Sequence, residues 1–192
     1  MTGASGALFT AHLLRLLNAE DRVRRVHFIA SDHALRVVTE ELGLTGGRST
    51  VLETLLDGPA SEKFRVHRND DVGASIASGS YPCDGMIVLP CSMGTLASIA
   101  NGLAARLIDR AADVTLKEQR PLFLCVRETP LNRIHLRNMT LAAEAGAVIY
   151  PVIPALYFRP DSLDEIAKQF AARVLAHIGL PQPDAYQWKT ND

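Results

Sequence analysis

The chain has 192 residues, 47% of them hydrophobic and 21% charged, the size and balance of one globular domain with a real core. Twenty Lys+Arg against twenty-one Asp+Glu leave a formal charge of −1, which excludes a polybasic binder of nucleic acid or membrane surfaces read from bulk charge. No apolar run approaches the roughly 18 residues of a membrane helix, and the N-terminus lacks a signal-peptide pattern.

Met1 to Gly6 reads as a turn leaving a strand and opening a helix over Ala7 to Leu17, yet no strand precedes it. Val26 to Ala30 is a short β-prone run, followed by helical composition from Asp32 to Leu42. Phe64 to Arg68 suggests an edge strand. Gly85 to Pro90 is a further strand, with a helix-like stretch from Thr95 to Ala105 behind it. Pro121 to Val126 and Ala147 to Val152 complete the set. Most of these runs are continuously apolar, not alternating, which predicts strands covered on both faces. The expected fold is a three-layer α/β/α sandwich around a parallel, Rossmann-like sheet, with its first strand missing from this chain. The last helix opens on a capping box, Ser162-x-x-Glu165, and stops at Gly179 and Pro181. Residues 1–180 predict one domain. Residues 181–192 predict a tail that wraps a neighbour or is loose.

Three turns carry chemistry-prone residues. Gly3-Ala4-Ser5-Gly6 offers backbone N–H groups and a hydroxyl at a helix N-terminus, which suits an anion, although a plain strand–helix turn reads equally well. Ser31 and Pro90 to Thr95 also follow apolar strands, placing all three at the carboxyl edge of the sheet, where ligands bind. Arg127-Glu128 leaves a strand at that edge, and an Arg beside a Glu can bind a phosphate while the carboxyl moves a proton. Leu107, Arg110, Val114 and Lys117 share one helical stripe, so two cations lie among aliphatics; ion pairs to Asp109, Asp113 or Glu118 are the structural alternative. Arg173 sits at the edge of the last helix's buried face. The three cysteines, Cys83, Cys91 and Cys125, have no CxxC spacing, and the six histidines no metal-ligand spacing, so no metal site is expected and the compartment reads as the cytosol. His33 and His135 read as cap or surface residues, and Cys91 as a buried small residue.

Thr2 to Ala7, Pro90 to Leu96, Arg110 to Glu118, Pro121 to Pro130 and Ile134 to Met139 together resemble the UbiX-type flavin prenyltransferases. They belong to a flavoprotein group that includes phosphopantothenoylcysteine decarboxylase. The likeness spans Thr2 to about Trp188. It implies an enzyme that joins a dimethylallyl group from dimethylallyl phosphate to N5 and C6 of reduced FMN. The product would serve UbiD-type decarboxylases, in ubiquinone synthesis or aromatic acid breakdown. By position, the resemblance assigns FMN to Gly3, Ala4, Ser5, Ser31, Ser92, Met93, Gly94, Thr95 and Arg127. It assigns dimethylallyl phosphate to Tyr157 and Arg173, helped by Ser5, Lys117 and Arg110. Glu41 and Glu128 match the family's acid/base carboxylates, and Trp188 a tryptophan near its active site.

The resemblance further implies a homo-oligomer, commonly a dodecamer, with flavin between subunits. It also places a strand of roughly ten residues before the Thr2-Gly3 turn, so translation is expected to begin upstream of Met1. No aspartate-rich, magnesium-binding motif occurs, which fits a monophosphate donor. Two other readings stay in view. A flavin-dependent decarboxylase would need a histidine after the first helix and a substrate lid. A non-catalytic FMN carrier would need the flavin turns but no second anion site.

Overall fold

The structure, a computed structural model, describes residues 1–43 and 45–188; positions 189–192 of the expected tail lie outside the described residues. Strands form at the five expected places: β1 (Val26–Ile29), β2 (Phe64–His67), β3 (Met86–Cys91, one residue beyond the expected run), β4 (Leu122–Val126) and β5 (Val148–Ile149). Every pairing is parallel, β1 with β2 and then β3–β4–β5. Met1 and Thr2 stand between these two sheets and bond to both. The Met1 amino group donates to Ile29 O at 2.7 Å, Ser31 N–H to Met1 O at 3.2 Å, and Thr2 N–H to Pro90 O at 3.1 Å.

Among the described residues seven α-helices flank the strands: α1 (Ala7–Ala19), α2 (Asp32–Leu42), α3 (Val51–Leu56), α4 (Met93–Ala100), α5 (Leu107–Lys117), α6 (Arg133–Glu144) and α7 (Leu163–His177). Neighbouring residues on one strand enter different cores, as the period-2 geometry of a strand requires. Val88 and Leu124 pack with residues of α4, α5 and α6, whereas Leu89 and Cys125 pack with α1 and α7. Both faces are therefore covered, and the fold is a parallel α/β sandwich with helices on either side.

Three element boundaries differ from the sequence reading. Helix α4 begins at Met93, not Thr95, because the Ser92 hydroxyl caps it by accepting from Thr95 N–H. It ends at Ala100, where the Asn101 amide folds back to donate to Ala97 O at 2.8 Å. Strand β5 is two residues long, since Pro151 has no N–H to donate, yet Tyr150 and Val152 still donate to Leu124 O and Val126 O at 2.9 Å. At α7, Ser162 caps as expected, while the Glu165 carboxylate accepts from Asp161 N–H instead of from Ser162.

Candidate functional site

Strand ends fix the order of the segments along the carboxyl edge: Ser31 after β1, then the Gly3–Gly6 turn, Ser92 after β3, Arg127-Glu128 after β4, and the 150–162 segment after β5. Buried Thr2 stitches the first turn to β3. Its hydroxyl donates to Pro90 O and accepts from Ser92 N–H, both at 2.8 Å. Thr10 on α1 donates to Leu89 O at 2.8 Å, tying the helix to the same strand. Ser31 caps α2 by accepting from Ala34 N–H at 3.1 Å, and Ser92 caps α4.

Between these turns lies a cavity of about 450 Å³, lined among others by Gly3, Ser31, His33, Ser92, Gly94 and Thr95. That volume is within the range of small-molecule sites. Of the nine predicted cofactor residues, five line it: Gly3, Ser31, Ser92, Gly94 and Thr95. Ala4, Ser5 and Met93 belong to the same turns without lining it. Arg127 stands one strand further along, its N–H donating to Cys91 O at 3.1 Å.

Sequence reasoning missed Arg106, Asp109 and Asn69, which also line the cavity, and it set His33 aside as a cap or surface residue. Burial raises the Asp109 carboxyl above the usual range, against the pull of the Arg106 backbone N–H and charge. His33 matters through Gly3. A Cβ on Gly3 would stand 2.4 Å from His33 Cβ, closer than packed carbons approach. Gly3→Ala is expected to lower stability by about 1–3 kcal/mol, read as a fall in the urea midpoint. An unchanged midpoint would show that His33 yields freely.

The carboxyl groups divide. Glu41, in the last turn of α2, accepts from Gly6 N–H at 3.1 Å and Ala7 N–H at 2.8 Å. It thereby caps α1, supplying the negative charge that a helix N-terminus favours. Gly6 itself has φ +126°, which only glycine adopts without strain. Glu128 is exposed and accepts from Thr129 N–H at 3.0 Å.

Further along, Tyr157 and Trp188 pack edge to face with ring centroids 4.9 Å apart. Arg173, exposed on α7, lies against the Tyr150 hydroxyl, offsetting part of the upward shift that burial gives that phenol. The other two cations lie elsewhere. Arg110 pairs with Asp113 at 2.6 Å and donates to Ala77 O. Lys117 pairs with Glu118. These are the ion pairs that formed the structural alternative for the stripe. Helix α5 starts at the cavity and runs to the amino edge before β4, so Lys117 stands roughly 15 Å, the length of a five-residue strand, from the Arg127 end.

Cys91 is buried and its thiol is pushed up to about 12, chiefly by desolvation, so it is not a nucleophile at neutral pH. His135 completes a capping box with Asn132 on α6. Among the described residues, no group of three or more His, Cys, Asp or Glu side chains is placed to share a metal ion, and no helix is long and apolar enough to cross a membrane.

The flavoprotein family model matches residues 1–172. The flavin prenyltransferase UbiX of Salmonella typhimurium is 44% identical over 183 residues, 95% of this chain and 91% of that protein. Its counterpart from Escherichia coli K12 is 42% identical over 184 residues, 96% and 92% of the two chains. A dodecameric FMN-dependent UbiX-like decarboxylase from Escherichia coli O157:H7 superposes with a TM-score of 0.86 at 38% identity, covering 98% of this chain and 100% of that one. AnUbiX (PadA1), in complex with FMN and dimethylallyl pyrophosphate, superposes at 0.84 with 39% identity, covering 100% and 96%. With a flavoprotein-type edge, full-length likeness and these relatives, the chain belongs to the flavoprotein family, among its UbiX-type flavin prenyltransferases.

Proposed function

We propose that this enzyme joins a dimethylallyl group from dimethylallyl phosphate to N5 and C6 of reduced FMN, making prenylated FMN for UbiD-type decarboxylases. The observation that carries the reading is the division of the carboxyl edge. One half is a cavity walled by hydroxyls and capped helix starts. The other half presents Arg127, Glu128, Tyr157 and Trp188, none of which lines that cavity.

The cavity's donor set suits a flavin phosphate: Ser31, Ser92 and Thr95 hydroxyls at the starts of α2 and α4, with the Arg106 guanidinium beside them. Gly3, Ala4, Ser5, Met93, Gly94 and Arg127 complete that holding set. Bound and reduced, FMN would supply electron-rich ring positions as the nucleophile for the allylic carbon.

The chain's own side chains act on the donor. Tyr157, Arg173 and Ser5 hold its phosphate, and stabilising that group's growing negative charge lets the allylic C–O bond break without a metal. Glu128 gives the departing phosphate a proton. Glu41, engaged with Gly6 and Ala7, holds the turn in place and is the weaker of the two proton candidates. Trp188, against Tyr157, keeps water from the allylic carbon.

Lys117 lies too far along α5 to serve its own chain's edge, and Arg110, one turn into the helix, is aimed at Ala77 O and Asp113 instead of into the cavity. They serve a neighbouring copy, in an assembly like that of the dodecameric relative. Their ion pairs are exposed and worth little, so a phosphate can replace the carboxylate partners. Residues 1–180 act as the flavin-binding domain, and the three free cysteines suit a cytosolic setting.

The test is anaerobic incubation with FMN, a reductant and dimethylallyl phosphate, with the pyrophosphate run alongside. The expected flavin is heavier by one dimethylallyl unit, with the monophosphate preferred. Unchanged FMN from a folded, flavin-loaded sample would overturn the reading.

A further inference from the structure

We propose that Gln169 is a positioning residue for the donor site, its carboxamide fixing the C-terminal segment in the one register that lays Trp188 against Tyr157. The inference rests on the reading above that those two rings line the donor site.

The path of the chain explains the need. Helix α7 starts at the carboxyl edge and ends beside the C-terminal end of α1, at the opposite edge. There the segment after it is tied down, with the Arg22 guanidinium donating to Pro181 O at 2.9 Å and the Gln182 amide to Glu20 at 3.1 Å. The chain then returns along α7. Fifteen helical residues span about 22 Å. The return first turns, with Ala185 N–H donating to Gln182 O at 3.2 Å, and then brings Trp188 back to Tyr157 at the carboxyl edge, so chain length alone does not fix its register.

Midway, Gln169 grips the returning backbone at two points. Its Nε2 donates to Asp184 O at 3.1 Å, and its Oε1 accepts from Tyr186 N–H at 2.8 Å. The carboxamide behaves like one rung of a β-ladder and so sets register. Tyr186 and Trp188 are two residues apart, just beyond the Gln182–Ala185 turn. They meet Phe158 and Tyr157 at centroid distances of 5.7 and 4.9 Å. A one-residue slip would carry both rings off these partners. The nearby Lys168–Asp184 pair, 3.6 Å apart and exposed, cannot set register, because a mobile ammonium accepts many geometries.

The experiment uses the full chain, in which Trp188 is the only tryptophan, so its emission reports the segment directly. Gln169→Ala is expected to increase acrylamide quenching of Trp188 and to raise the KM for dimethylallyl phosphate by about tenfold or more, with a smaller change in kcat. FMN affinity and Tm should stay at wild-type values. Gln169→Glu keeps the acceptor for Tyr186 N–H and loses the donor to Asp184 O, and it should recover part of both effects. Wild-type quenching in Gln169→Ala, or altered quenching with an unchanged KM, would overturn the proposal. So would parallel losses of FMN affinity and Tm, which mark a merely structural role. If the wild-type enzyme transferred no prenyl group, the functional reading would fall, while the quenching result would still decide whether Gln169 holds the segment.

Discussion

Lys117→Ala is expected to cut prenyl transfer by about a hundredfold or more, the effect of removing one preorganised charged donor, without weakening FMN binding. The side chain is exposed and, among the described residues, pairs with Glu118, so its loss should leave Tm within the scatter of surface substitutions. What makes the variant informative is its place. Lys117 ends α5 at the amino edge, whereas Arg127 and Glu128 leave β4 at the carboxyl edge. If it acts on a neighbouring copy's donor, two defective chains can repair each other. Assemblies refolded from Lys117→Ala and Glu128→Gln chains together should regain a readily measured fraction of activity. Sites that draw Lys117 from the second chain and Glu128 from the first would be intact. A mixed assembly as inactive as either parent would place Lys117 outside the composite site.

Most of the sheet was legible because strands covered on both faces leave largely apolar runs, and β1, β3 and β4 form inside those runs, whereas β2, with Arg65 and Val66 exposed, is the edge strand that its mixed sequence suggested. One cap was legible, Ser162, which accepts from Glu165 N–H. Ser31 and Ser92 also accept from the N–H three residues on, but in the sequence they read as ligand-side hydroxyls, and so the expected start of α4 falls two residues late. Helical spacing put Arg110 and Lys117 on one stripe but said nothing about which end of the sheet they reach. Topology held that answer, because a helix leading into a parallel strand must end at the strand's amino edge. Glu41 could not be read as a cap from sequence, since its partners Gly6 and Ala7 lie in a different helix, brought near only by the packing of α1 on α2. Arg106 and Asp109 carry no motif; they line the cavity because α5 begins there. His33 follows the Ser31 cap and gains its place from the missing Cβ of Gly3. The Tyr157–Trp188 pair is separated by α7 and its returning segment, so only the folded path reveals it.

The most direct test of the whole account is the pair of substitutions Tyr157→Phe and Arg173→Ala in one chain, followed by the mass of the recovered flavin and by FMN titration. A prenyltransferase with a second anion site should lose transfer by about a thousandfold, as two donors to the leaving phosphate disappear, while binding FMN as tightly as before. Transfer at the wild-type rate would contradict the account.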